Sequence, residues 1–384
     1  MRRFAAAPSA VWSDLYYDLA LVAAIVVLSG SWALDHSLGF TLWLGLVFGL
    51  IWSTWVVTSL VMGTFSGRDA APGAVDIALL TVQMATILLV TLSSVADSSA
   101  ADNVFGILLG MALGTGVILG WRARRRGTRV QTNTLVLMAS AATLIVVSEI
   151  LPDALSGWAN TVWWVALVGI LVAAAIGLQD SAIDPDRLSH RFGELTIILI
   201  GETLLKMALS ADEKGFDTLD SGGLALVVVF VTAIWWDYFS DAVRRPPGSP
   251  RRRSAWGLSH FLLHLALIGA AVGLGKLAVA DSGLGHGGTG WLIGAPLTLA
   301  MLALTMLDIF GERSIAPLRA GVHAGATLLL AGLTAFALSR PDDAPLPIAT
   351  WMVVVVVLSS GLVSAISVRP GAQAAQVQTP DHAA

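Results

Sequence analysis

The 384-residue chain contains no cysteine. That excludes disulfides, cysteine-ligated zinc and thiol nucleophiles, and it leaves the redox compartment open. Charge is also scarce. Asp, Glu, Lys and Arg make up 12% of the residues, against about 25% in an average soluble domain. No HExxH element and no Cys/His grouping accompanies the histidines. The glycine-rich GLGHGG at 283–288 lacks the strand-to-helix setting of a nucleotide-binding loop. No enzyme signature results, so the chain is read as a non-enzyme with no cofactor and no metal. The opening MRRFAAAPSAVWSD does not read as a cleaved signal, because the apolar segment after it carries Asp14 and Asp18 and no clear small-residue cleavage site.

What is abundant is apolar. Hydrophobic residues reach 56%, and runs of about 20 of them, each long enough to cross a bilayer as a helix, recur down the chain. The expected fold is all-α: a polytopic membrane protein of about twelve transmembrane helices, in contact with the lipid bilayer and with almost no soluble domain. The spans read as 12–33, 40–62, 74–96, 103–122, 130–151, 158–178, 191–210, 222–242, 257–279, 290–308, 319–338 and 347–367. The Gln-, Ala- and Pro-rich stretch 370–384 is expected to be disordered. With the N-terminus inside, 18 of the 19 arginines fall in inner loops or termini and only Arg340 falls outside. That bias predicts both termini on the cytoplasmic side and an even number of spans.

The two halves resemble each other. Spans 2 and 8 read LVFGLIWSTWVVTSLV and VVFVTAIWWDYFSDAV, which sets Trp52 on Trp235 and Trp55 on Tyr238 at one offset. Spans 1 and 7 read YYDLALVAAIVVL and FGELTIILIGETL, which sets Asp18 on Glu194. Six spans per unit is even, so two parallel six-helix repeats, 1–185 and 186–369, are expected, related about an axis along the membrane normal.

The charges that remain inside spans are the candidate functional residues. A charge at the bilayer centre costs about 2.5–3.5 kcal/mol on insertion scales, so each needs a partner or a task. The central stretch RLSHRFGELTIILIGETLLKMAL at 187–209 carries Glu194, Glu202 and Lys206. Glu202 and Lys206 are four apart on one helix face, so they either neutralise each other or form part of a relay. Glu194 has no such partner in its own helix on this reading. Glu202 lies about 12 Å beyond Glu194 along the helix, a spacing that suits a proton or cation relay. Asp14, Asp18, Asp76, Glu194, Asp237, Asp241, His260, His264 and Asp308 all belong to inner span ends, where a ring of acids suits cation entry. For Asp76, Asp241 and Asp308, helix capping or pairing with nearby arginines is the simpler reading. His260 and His264, four apart, project from one face and suit proton handling or hydrogen bonding rather than metal. Gln83, in the middle of span 3, is expected to bond across helices. The basic GSPRRRS beside span 9 reads as a topology signal or an anionic-lipid contact, not a nucleic-acid surface.

The motifs YYDLALVAAIVVL, WSTW, SHRFGELTIILIGET and WWDYFSD resemble those of the bacterial low temperature requirement protein A (LtrA) family, over about residues 10–367. The span 7 motif is the most specific, although His190-Arg191 departs from the usual family spacing of the histidine from a Glu-Arg pair. That resemblance implies a bacterial cytoplasmic-membrane protein. RFGELTIILI and YYDLALVAAI are also similar to the opening helix of the endolysosomal TMEM-type potassium channels, which have two six-helix repeats. That likeness implies that Asp18 and Glu194 take the motif acid and that Ala23 and Leu199 face a constriction. The expectation is a protein that conducts or transports a cation or proton. A proton-coupled carrier of a small solute, and a membrane sensor or scaffold whose charges only pack, stay open, as does assembly into a homo-oligomer.

Overall fold

Long apolar runs without proline inside them give helices here. The computed structural model describes residues 10–63, 72–96, 99–127, 130–149, 157–180, 184–239, 246–279, 288, 290–311, 316–340 and 345–367. Among these it forms twelve long helices: α1 Ala10–Leu34, α2 Leu38–Gly63, α3 Ala74–Val95, α4 Ser99–Arg125, α5 Thr132–Glu149, α6 Ala159–Leu178, α7 Pro185–Lys214, α8 Ser221–Phe239, α9 Pro250–Leu277, α10 Ala295–Phe310, α11 Ala316–Ser339 and α12 Pro345–Ser367. A π-helical turn, Gly290–Gly294, leads into α10. Eleven of the twelve are long and apolar enough to cross a membrane, α10 when taken together with its π-helical turn as Gly290–Phe310. The exception is α7, whose Asp, Glu, Lys and Arg content exceeds that of the others. Asp241 and the stretch from Pro370 lie outside the described residues.

The chain divides into two units, Met1–Leu188 and Ser189–Ala384. In the first, α2 is the central helix. From Leu46 to Ser59 its side chains are buried all round, and Trp52 is fully enclosed. Around it α1 packs on α3, α3 on α4, α4 on α5, α5 on α6, and α6 returns to α2. In the second unit α9 is the most enclosed helix. There α9 packs on α10, α10 on α11, α11 on α12, and α12 on α8, while Thr196 of α7 bonds His264 of α9.

Lipid tails are as apolar as leucine, so helices in a membrane associate through close packing rather than hydrophobic exclusion. The second unit follows that rule at glycine. A Cβ on Gly223 would lie 2.1 Å from the Leu277 carbonyl oxygen, and one on Gly273 2.1 Å from that of Leu292. Both contacts are with backbone, so only glycine fits. The end of α7 uses glycine differently. Gly215 has a φ of +92°, and its N–H closes the helix on the Ala211 carbonyl at 3.0 Å. Between α1 and α2, the Ser37 N–H donates to Asp35 Oδ1 at 2.9 Å. That bond holds the Asp35 carboxyl below its ordinary range.

Helix starts and ends differ from the spans expected. Pro250 occupies the first turn of α9, where a missing N–H costs nothing, so Arg251, Arg252 and Arg253 stand on a helix rather than in a loop. Arg122, Arg124 and Arg125 likewise form the last turn of α4. At 28 residues, α9 is about 42 Å long, well beyond a hydrocarbon core of about 30 Å. Its basic turns therefore extend past the hydrocarbon.

Candidate functional site

The C-terminal turns of α8 and α10 each present an aspartate, Asp237 and Asp308. A carboxylate at a helix C-terminus meets the negative end of the backbone dipole, and both are buried. Such charges need cations nearby, and α11 supplies them. Arg319 and His323 are four residues apart, so they share a face, and neither side chain has any exposure. Arg319 Nε donates to Asp308 Oδ1 at 3.2 Å, and Nη2 donates to Asp237 Oδ1 at 3.4 Å. His323 Nδ1 contacts Asp308 Oδ2 at 2.7 Å, and Nε2 contacts Asp237 Oδ2 at 2.8 Å. From α12, Ser360 Oγ donates to Asp237 Oδ2 at 3.4 Å, and Ser367 Oγ accepts from Arg319 Nη1 at 3.2 Å. Four helices of the second unit thus meet at one polar set.

The hydrogen bonds set its proton count. Ionised carboxylates only accept, and a neutral imidazole donates from one nitrogen alone. Both ring nitrogens of His323 face carboxylate oxygens. The set is satisfied when it holds one proton more than neutral imidazole and two carboxylates supply. Two carboxylates then balance one guanidinium and one imidazolium, so the charges of these four residues cancel.

A second polar line runs beside it. Tyr238 follows Asp237 in α8 but faces α9. The Trp256 carbonyl can only accept, so His260 Nδ1 donates to it at 2.9 Å, and the Tyr238 hydroxyl donates to His260 Nε2 at 2.9 Å. Thr196 donates to the Phe192 carbonyl at 2.8 Å, and His264 Nε2 donates to Thr196 Oγ1 at 3.0 Å. Both histidines are fully buried, and the Phe192 ring lies 4.6 Å from that of His260. Among the described residues no group of three or more His, Asp or Glu is arranged to hold a metal ion.

The other expected residues are distributed as follows. Glu194 has partners in its own helix, against expectation: His190 at 3.1 Å and Arg191 at 3.0 Å. They lie one turn towards the helix start, where a search directed only forward along α7 overlooks them. Glu202 and Lys206 are both buried and 3.7 Å apart. The Lys206 stem lies against Gly275 of α9. Leu199 is fully buried in the second unit, and Ala23 is half-buried in the first. In the first unit, Asp14 is bonded by Arg187, and the Trp55 indole N–H donates to Asp18 Oδ1 at 2.8 Å. Asp76 accepts the Gly73 N–H at 2.9 Å and pairs with Arg122 at 2.9 Å and Arg126 at 2.6 Å. Gln83 joins three helices, donating to the Ala112 carbonyl at 2.9 Å and accepting from Thr58 at 3.1 Å. The tryptophans matched between the halves have unlike surroundings: Trp52 is enclosed, whereas Trp235 is 42% exposed. Sequence reasoning assigned Arg319 to a loop and gave His323 no role. The signal available was their spacing of four on one span, opposite two spans that each end in an aspartate.

The family model for bacterial low temperature requirement A protein (LtrA) matches residues 9–360. The chain belongs to the LtrA family. The LtrA match takes in every charged residue described above, from Asp14 to His323, together with Ser360; Ser367 lies beyond it. The chain is also similar to a protein of Rhizobium meliloti (strain 1021), "Uncharacterized protein RA0937", with 26% identity over 260 residues. The match covers 62% of this LtrA-family chain and 59% of that relative, so less than two thirds of the relative's length is spanned. No solved structure matches.

Proposed function

We propose that this LtrA-family membrane protein is a carrier rather than an enzyme, and that it moves protons, alone or coupled to a cation, across the bacterial cytoplasmic membrane. The observation that carries the reading is His323. Its two ring nitrogens lie 2.7 and 2.8 Å from two buried carboxylates that Arg319 also contacts. A buried group whose bonding depends on one proton is the kind of element from which membrane proton relays are built. The Tyr238–His260 and Thr196–His264 bonds supply further exchangeable groups on the adjoining helix. Both termini are proposed to be cytoplasmic, from the arginine distribution. Two parallel repeats are part of the same proposal. The support is that helices three to six pack in the same order in each unit, with the sixth on the second.

One observation favours a second reading: the set is fully paired and its charges cancel, so it would also serve as a fixed clamp among four helices. Purified protein in liposomes, with an internal pH dye and an imposed potential, separates the two. Proton flux is expected from the wild-type chain and should be abolished in Asp237→Asn and His323→Gln proteins that remain monodisperse. Should either variant fail to fold, Tyr238→Phe, which leaves every charge in place, should slow the flux. Absence of wild-type flux, or unchanged flux in folded Asp237→Asn protein, would leave the clamp reading.

A further inference from the structure

We propose that the groove between α4 and α5 is a binding site for one anionic phospholipid. The groove has a volume of about 570 Å³. Its apolar wall is made by Val117 of α4 and by Leu135, Val136 and Ala139 of α5. Its other end is bounded by Trp121, Arg124 and Arg125 at the close of α4 and by Thr132 at the start of α5. The two helices run in opposite senses along the groove and agree in polarity. Eight residues separate Arg125 from Val117, and seven separate Thr132 from Ala139, so charge passes to hydrocarbon over about 10–12 Å on both walls. A lipid has that gradient, with an anionic head at the helix ends and a chain along the membrane-spanning part.

The arginines divide by their partners. Arg122 and Arg126 answer Asp76. Arg124 and Arg125 have no carboxylate partner among the described residues. Instead Arg124 bonds the Thr132 hydroxyl across the mouth of the groove, and Arg125 lies 3.6 Å over the Trp121 ring. Both are thus held at the mouth, with no carboxylate beside them among the described residues. Trp121 is 51% exposed there, as an indole at a membrane interface would be. Charge complementarity selects an anionic headgroup, and the apolar wall selects a lipid over free phosphate.

Native mass spectrometry of the full chain in detergent tests this, titrating phosphatidylglycerol against phosphatidylcholine of the same acyl chains. One phosphatidylglycerol should bind preferentially. Its affinity should fall about thirty-fold in Arg124→Gln/Arg125→Gln, the loss expected for two interfacial cations. Val136→Trp should also displace it by filling the wall; Val136 is 55% exposed, so the change leaves the helix packing alone. Arg251→Gln, an exposed arginine on α9, should leave binding unchanged. Glycerol phosphate at equal ionic strength should not compete. Equal binding of both lipids, full binding in Val136→Trp, an equal loss in Arg251→Gln, or displacement by glycerol phosphate would each overturn the proposal.

Discussion

Replacing Arg319 by methionine should be among the most damaging single changes in the second unit. Methionine fills a similar volume but takes one positive charge from a set with no exposed side chain at Arg319, His323 or Asp237. Of the two cations that bridge Asp308 and Asp237, His323 then remains. At the 3.2 Å separation of Arg319 Nε from Asp308, Coulomb attraction at an effective dielectric of 20 is about 5 kcal/mol. Removing one partner of a buried pair costs about 3–5 kcal/mol in mutational series, so the two magnitudes agree. The companion variant Asp308→Asn/Arg319→Met leaves the Asp237 carboxylate opposite the His323 imidazolium at 2.8 Å, with no net charge. It should recover about half of the loss, since the uncompensated charge is the larger part of the cost. Unfolding by sodium dodecyl sulfate in mixed micelles, followed through near-ultraviolet dichroism of the chain's 14 tryptophans, measures both. If Arg319→Met lies within about 1 kcal/mol of wild type, or the double variant is less stable than the single, the charge-balance argument fails.

Gly273→Ala would drive a methyl group to 2.1 Å from the Leu292 carbonyl; a loss of about 1–3 kcal/mol is expected from the overpacking, and an unchanged midpoint in the same assay would mean that α9 and the turn before α10 separate freely. Trp55→Phe removes the indole donor to Asp18 and should cost about 1–3 kcal/mol, whereas stability equal to wild type would show that the Asp18 carboxylate does not need it. Glu202→Gln/Lys206→Met removes a buried pair 3.7 Å apart and should be near neutral for folding. If the pair is structural, proton flux in liposomes should survive the double change; if Glu202 relays, Glu202→Gln alone should abolish flux and the double variant should not restore it.

The class of this protein was legible from composition. A backbone in hydrocarbon must satisfy its own hydrogen bonds, in helices or closed barrels, and continuous apolar runs of about 20 residues select helices, since barrel strands are shorter and alternate. Helix number followed from the runs, and Gln83 and Asp76 behaved as isolated polar groups near or inside spans must, by finding partners across helices. What the linear pattern did not carry was which distant helices meet. Asp237, Asp308, Arg319 and His323 span 86 residues from first to last, and each looks like an ordinary helix-end residue when read in its own span. Their meaning arises where α8, α10, α11 and α12 pack together, because a buried carboxylate is tolerable only beside a cation and the lipid interior offers none. Close packing through Gly223 and Gly273, whose permissible neighbours are backbone atoms of other segments, is likewise a property of three dimensions that no single span contains.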